Sequence, residues 1–152
     1  RVSWVVGAGF LVSAAAVLAT RARKGTASTL SPASYVLLGV MQGIAVLPGV
    51  SRSGMTIASG ILLGLSGHEA FRFSFLLSLP AVAGALLLEL REPARLNGFG
   101  AAAAIGVVTA FLIGLAALLT LRRVVRQGRV WMFGIYLVPL GMAMIAWDLS
   151  LD

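Results

Sequence analysis

Apolar residues are grouped along the chain in long runs that short polar segments separate. Four runs are long enough to cross the apolar core of a bilayer as helices, namely 4–20, 69–90, 100–121 and 130–147. A fifth stretch, 35–65, is interrupted at its centre by a Pro/Gly/Ser segment with one arginine, so each half is too short to span. The pattern predicts an all-α integral membrane protein with four transmembrane helices and one re-entrant helical hairpin.

Two polar segments carry the signals that start a helix. Ser31 followed by Pro32 predicts an N-cap with proline at the first helical position. Ser66 followed three residues later by Glu69 is a capping-box pattern. We therefore expect one helix to begin the hairpin and another to begin the crossing that follows it.

The composition agrees with a membrane protein. Hydrophobic residues make up 59% of the 152 residues and charged residues only 11%, so a water-soluble fold would leave much apolar surface exposed. The chain has no cysteine, which excludes disulfides and thiolate metal sites. It begins at Arg1 and enters an apolar run at once, and we expect it to be part of a longer protein.

The net charge of +7 predicts an orientation rather than a nucleic-acid partner. Basic residues crowd two polar segments, 21–34 and 122–129, which lie on the same side if the hairpin leaves the membrane where it entered. The opposite side has Arg91 and Arg95, offset by Glu92. Basic loops favour the cytoplasm, so we expect a multi-pass protein of the bacterial cytoplasmic membrane with both chain ends facing outward.

Arg52 is the candidate functional residue, because a charge inside a membrane segment costs about 2.5–3.5 kcal/mol even on insertion scales. No carboxylate is near it in the sequence, and the planar guanidinium matches pairs of phosphate oxygens. The alternative is a structural arginine that reaches the membrane interface.

The neighbours of Arg52 suit a phosphate group. Ser51, Ser53 and Thr56 offer hydroxyl donors, and Gly49 and Gly54 allow close approach of the backbone to a ligand. The second half-helix begins here, so its free N–H groups point at the same place. The segment predicts a phosphate or diphosphate site.

Three further polar residues have open roles. Gln42 either lines the cavity or hydrogen-bonds between helices, and Arg72 either makes a second phosphate contact or reaches the interface. His68 is the only histidine, and an interfacial position near a helix start is favoured over a role as catalytic base.

Two sequence blocks carry a resemblance to a known family. Residues 42–56 read QGIAVLPGVSRSGMT and residues 72–80 read RFSFLLSLP. Both blocks are similar to signatures of the bacitracin-resistance family of undecaprenyl-diphosphate phosphatases, and the resemblance covers essentially the whole chain. It implies hydrolysis of a polyprenyl diphosphate lipid for cell-wall synthesis, with Arg52 binding phosphate and Ser51, Ser53 and Thr56 contacting the diphosphate.

The resemblance also implies that half of an inverted-repeat fold is absent. The family's other hairpin carries glutamates that hold a metal ion, a candidate serine nucleophile and a histidine. At the equivalent positions this chain has Val46 and Met55. We therefore expect a C-terminal half with no metal ligands of its own, and a Mg or Ca ion held by residues outside the chain. The nucleophile and any homo-oligomer stay open.

Two other function classes compete with the phosphatase. A non-catalytic transporter or carrier of a phosphorylated lipid would also place its site at a broken helix. The unrelated acid-phosphatase-like lipid phosphatases need a histidine where this chain has Ala58, which excludes them.

Overall fold

A computed structural model describes residues 3–91 and 100–150, except for the side chain of residue 102. Within this part the chain is all-helical, as predicted, and has no strand; the six α-helices are α1 Ser3–Ala19, α2 Pro32–Ile44, α3 Arg52–Leu62, α4 Gly67–Glu89, α5 Ala101–Arg126 and α6 Met132–Leu149. A 3-10 turn continues α1 to Ala22. The predicted outward loop with Glu92 and Arg95 lies outside the described residues.

Four of the helices are long and apolar enough to cross a membrane. Their mean hydropathy lies between 1.6 and 2.5 over the segments Ser3–Ala22, Gly67–Glu89, Ala103–Arg126 and Met132–Leu149. On α5, Ile105, Phe111 and Ile113 are 65–67% exposed. Such a surface suits contact with lipid rather than water.

The two short helices, α2 and α3, begin and end at the same end of the molecule. Ser31 caps α2, and Ser66 caps α4 directly after α3. The Ala27 amide donates to the Gly64 carbonyl at 2.9 Å, and the Ser66 amide donates to the Ala27 carbonyl at 2.9 Å. These two bonds join the segment before α2 to the segment after α3, so the pair forms a closed hairpin.

Helix α3 lies at the centre of the packing. It contacts α1, α2 and α4, and six of its eleven residues are buried. Ile57, Ala58 and Ile61 of α3 meet Leu38 of α2 and Val125 of α5 in the core. The helix that begins with Arg52 is therefore held on several sides.

Helices α1 and α6 form the closest pair, and small residues allow it. A Cβ on Gly7 would lie 2.9 Å from the Gly141 carbonyl oxygen, and a Cβ on Gly134 would lie 2.5 Å from the Leu18 side chain. Close backbone approach of this kind is typical of membrane helix pairs. This pair supports the hairpin from one side.

Helix α5 extends further than the apolar pattern suggests. The apolar run predicts a crossing that ends at residue 121, yet the helix continues to Arg126. Arg122, Arg123 and Arg126 therefore lie in its last turns rather than in a loop. Arginine is a good helix former, and positive charges near the C-terminus suit the helix dipole.

Candidate functional site

The turn between α2 and α3 is built around Gly49. Its φ of +82° lies in the left-handed region that favours glycine. A Cβ there would also collide with the Val6 carbonyl of α1. Gly9 provides the matching space on α1, because a Cβ on it would collide with the Pro48 carbonyl. The backbone of the turn is thus pressed directly against the backbone of α1.

Helix α1 also fixes the residue that caps the start of α3. The Ser51 amide donates to the Ser13 hydroxyl at 2.8 Å, and that hydroxyl donates to the Gly9 carbonyl at 2.9 Å. Ser51 Oγ in turn accepts a hydrogen bond from the Gly54 amide at 3.1 Å, which makes Ser51 the N-cap. Sequence reasoning missed Ser13 because it lies in an apolar run and belongs to no motif.

Arg52 is the first residue of α3, and its side chain is exposed. Among the described residues no carboxylate pairs with it. The amides of Arg52 and Ser53 are the first two of the helix and have no acceptor within it. A guanidinium, free amides and the positive end of a helix dipole therefore occupy one place.

Arg52 lines a cavity of about 180 Å³ that we call the arginine cavity. Its polar lining consists of hydroxyl, amide and guanidinium groups, from Gln42, Arg52, Ser53, Thr56, Ser74 and Ser78. Helices α2, α3, α4 and α5 all contribute to its walls. The lining contains donors for an anion and no carboxylate.

Thr56 has a different setting from the other predicted site residues. It is 2% exposed, and its hydroxyl donates to the Arg52 carbonyl at 2.9 Å. The same hydroxyl makes a short hydrogen bond with that of Ser74 on α4, which is also buried. In this arrangement Thr56 ties the first turn of α3 to α4. The direct diphosphate contact expected of Thr56 stays a prediction.

Gln42 combines the two roles that the sequence left open. It lines the arginine cavity, and its Nε2 donates to the Leu77 carbonyl of α4 at 3.1 Å. Pro80 lies three residues further along α4, and its missing amide leaves the carbonyl of Leu76, the neighbour of Leu77, without its helical donor. Gln42 therefore braces α4 close to its proline.

Arg72 and His68 lie away from Arg52. Both line a groove between α4 and α5 with Arg122, near the basic end of the molecule. Arg72 is 3.8 Å from Glu69, and His68 Nε2 is 3.9 Å from the same carboxylate. The structure does not bring either residue into the arginine cavity.

A larger cavity of about 670 Å³, the apolar cavity, adjoins the turn from the other side. Ser51 and Ser53 line one part of it, and Ser53 also lines the arginine cavity. Its other walls are mainly apolar and include Phe10, Ile57, Leu121, Phe133 and Leu137. Such a cavity suits an amphiphile with a polar head and a hydrocarbon chain.

The described residues do not fit a divalent cation. They contain no group of three or more His, Asp or Glu residues that could hold a metal ion. Mg²⁺ and Ca²⁺ bind carboxylate and carbonyl oxygens, whereas the arginine cavity presents hydroxyls, an amide and a positive charge.

The four apolar helices and the broken-helix site define a multi-pass helical membrane protein. The chain belongs to the family described as bacitracin resistance protein BacA, whose sequence profile matches residues 1–143. The family resemblance of the two sequence blocks is thereby confirmed.

Curated relatives carry the name undecaprenyl-diphosphatase. The protein of Korarchaeum cryptofilum (strain OPF8) is 40% identical over 147 residues, which cover 95% of this chain and 55% of the relative. That of Desulfosudis oleivorans (strain DSM 6200 / JCM 39069 / Hxd3) is 44% identical over 144 residues, covering 90% and 52%. The chain thus spans about half the length of the curated relatives that it matches.

Proposed function

We propose that the whole protein hydrolyses undecaprenyl diphosphate to undecaprenyl phosphate and phosphate, and that this chain supplies the Arg/Ser half of the site. The observation that carries the proposal is the Arg52 guanidinium, which lines a polar cavity at the start of α3 with no described carboxylate beside it. The relatives' name supplies the reaction. By the same resemblance the product recycles the lipid carrier of cell-wall synthesis.

The proposal includes a re-entrant hairpin, which the lengths of α2 and α3 support. Their 13 and 11 residues correspond to about 20 and 17 Å, well short of the roughly 30 Å apolar core. The turn between them touches α1 at Gly9 and Ser13, about 14–20 Å along the helix from Ala22. The phosphate site would therefore lie at membrane depth.

Arg52 would bind the terminal phosphate and neutralise the charge that the transition state redistributes. Ser51 and Ser53 would donate hydrogen bonds to the diphosphate. Ser51 Oγ accepts from the Gly54 amide, which leaves its own hydrogen free, and the Ser53 hydroxyl bonds to no described residue. Hydrolysis breaks the bond between the terminal phosphorus and the bridging oxygen, and water supplies the new oxygen of the released phosphate.

The apolar cavity would take the first isoprene units of the lipid. It meets the phosphate site at Ser51 and Ser53, where the polar head and the hydrocarbon chain of the substrate join. Its aromatic and aliphatic walls suit a branched hydrocarbon. Substrate orientation would then follow from the arrangement of the two cavities.

The base and the metal ligands of the reaction would come from residues outside this chain. The only histidine, His68, lines a groove near the basic end rather than the arginine cavity. The absence of carboxylates from that cavity's lining also favours the second candidate, a transporter or carrier that binds a phosphorylated lipid without hydrolysing it.

Phosphate release from undecaprenyl diphosphate distinguishes the two functions. We expect activity from the full reading frame in which this chain occurs and none from the chain alone. Arg52→Ala in the full frame should lower kcat/KM by at least about 100-fold, and Arg52→Lys should recover only part of it because lysine cannot bind two oxygens with a planar fork.

A carrier would bind the lipid, and neither the full reading frame nor the chain alone would release phosphate. Unchanged activity of the Arg52→Ala variant, with normal unfolding temperature, would contradict the role of Arg52. Robust turnover by the chain alone would contradict the half-site.

A further inference from the structure

A second positively charged cavity lies at the other end of α3. It has a volume of about 500 Å³ and lies between the end of α1, the start of α4, the end of α5 and the start of α6. We call it the basic cavity, and its positively charged lining residues are Arg21, Arg23, Lys24 and Arg126. Ile61, at the end of α3, also lines it, about 14 Å along the helix from Arg52.

Two of these four cations have structural partners. The Arg23 guanidinium donates to the Leu62 carbonyl at the end of α3. The guanidinium carbon of Arg21 lies 5.0 Å from the centre of the Trp131 ring, in a cation–π contact. These contacts hold both arginines at the cavity wall.

The other two cations, Lys24 and Arg126, have no partner among the described residues. Glu69, the nearest carboxylate along α4, does not line the cavity; it lies 3.9 Å from His68, which does line it, and 3.8 Å from Arg72, which does not. The cavity therefore concentrates positive charge without a described counter-charge. A bound anion is the natural complement.

The start of α4 adds to the same positive field. Gly67 is its first residue and packs so closely against α5 that a Cβ would lie 2.6 Å from the Val125 carbonyl oxygen. Ser66, Gly67 and His68 line the cavity together with the cations, so the positive end of the dipole of this 23-residue helix lies beside it.

We propose that the basic cavity binds a phosphate oxyanion, supplied by the headgroup of an anionic phospholipid. The cavity lies where four membrane-length helices begin or end, which is the level of lipid phosphates. Its lining also includes apolar side chains, from Ile61, Val125 and Val130. Trp131, another lining residue, is of a type that is common at the membrane interface. These features favour a lipid over free phosphate.

Trp131 fluorescence reports on this cavity. Replacing Trp4 and Trp147 with phenylalanine leaves Trp131 as the only tryptophan. The protein in uncharged detergent micelles is titrated with phosphatidylglycerol, with phosphatidylcholine and with inorganic phosphate. We expect a saturable change with phosphatidylglycerol, none with phosphatidylcholine, and a change with inorganic phosphate only at far higher concentration.

A matched pair of variants tests the location. Lys24→Gln with Arg126→Gln removes two charges from the cavity, and Arg123→Gln with Arg129→Gln removes two from exposed positions on the same basic end outside its lining. We expect the first pair to weaken phosphatidylglycerol binding by about tenfold or more and the second by less than about twofold.

Three results would overturn the proposal. If both pairs of substitutions weaken phosphatidylglycerol binding equally, with equal unfolding temperatures, the lipid is attracted by the charge of the whole basic end and not by the cavity. Equal response to both lipids would show that charge is not recognised. Tight binding of inorganic phosphate with no response to phosphatidylglycerol would assign the oxyanion to a soluble source.

Discussion

Ser13 of α1 holds the residue that caps α3, beside the proposed phosphate site. It is fully buried, and its hydroxyl accepts from the Ser51 amide while donating to the Gly9 carbonyl. A buried amide left without an acceptor costs about 1–3 kcal/mol. Ser13 therefore positions the N-cap of α3, and with it Arg52.

Replacing Ser13 with alanine should disturb the site without touching a ligand. In the full reading frame we expect Ser13→Ala to lower phosphate release about tenfold and to reduce the unfolding temperature, because the start of α3 loses its anchor. Steady-state kinetics and thermal unfolding measure the two effects. Ser3→Ala, in the same helix, serves as the control. Wild-type kinetics and a wild-type unfolding temperature would contradict the role of Ser13 in positioning the start of α3.

At the scale of elements, the position of the turn in the hairpin depends on backbone contact with α1. The left-handed Gly49 and its close neighbours on α1 set where the turn lies. Gly39, in α2 of the same hairpin, has open space around its Cα instead. The two glycines therefore make a matched comparison.

Gly49→Ala should destabilise the protein by at least about 1–2 kcal/mol, from the left-handed backbone alone, and the collision with Val6 adds to this. Gly39→Ala should be neutral or slightly stabilising, because alanine favours the helix and meets nothing. Unfolding measurements in detergent compare the stabilities of the two variants with that of the unsubstituted protein. Equal effects of the two substitutions would contradict the close packing of the turn.

The sequence was informative about elements and less so about their contacts. The period and length of the apolar runs predicted each long helix, and the caps at Ser31 and Ser66 agree with the structure. The turn and its arginine were identifiable because a charge and two glycines interrupt an apolar run. Ser13 and Ser74 were not singled out, because a serine in an apolar helix has the same pattern whether it faces lipid or another helix.

At the scale of the whole molecule, the distribution of charge predicts the orientation. The described basic segments gather at one end, where α1 and α5 finish and α4 and α6 start. From the positive-inside rule we expect that end to face the cytoplasm. For the proposed function, this orientation would decide from which side the lipid diphosphate reaches Arg52.

Cysteine labelling can test the orientation directly, since the chain has no cysteine of its own. Ser28→Cys and Arg129→Cys lie at the basic end, and Ser150→Cys lies at the other; all three positions are exposed. A membrane-impermeant maleimide should label only Ser150→Cys in intact spheroplasts and all three after permeabilisation. The unsubstituted protein should stay unlabelled, and the reverse pattern would invert the topology.

The bond between Ser51 and Ser13 has a consequence for biogenesis. Neither α2 nor α3 is long enough for the insertion machinery to treat it as an independent span, and the turn has no partner until α1 stands beside it. Because α1 is synthesised first, it can act as a template already in the bilayer when the hairpin leaves the ribosome. If the hairpin is re-entrant as proposed, a nascent chain that lacks α1 would leave the Ser51 amide without its acceptor inside the membrane.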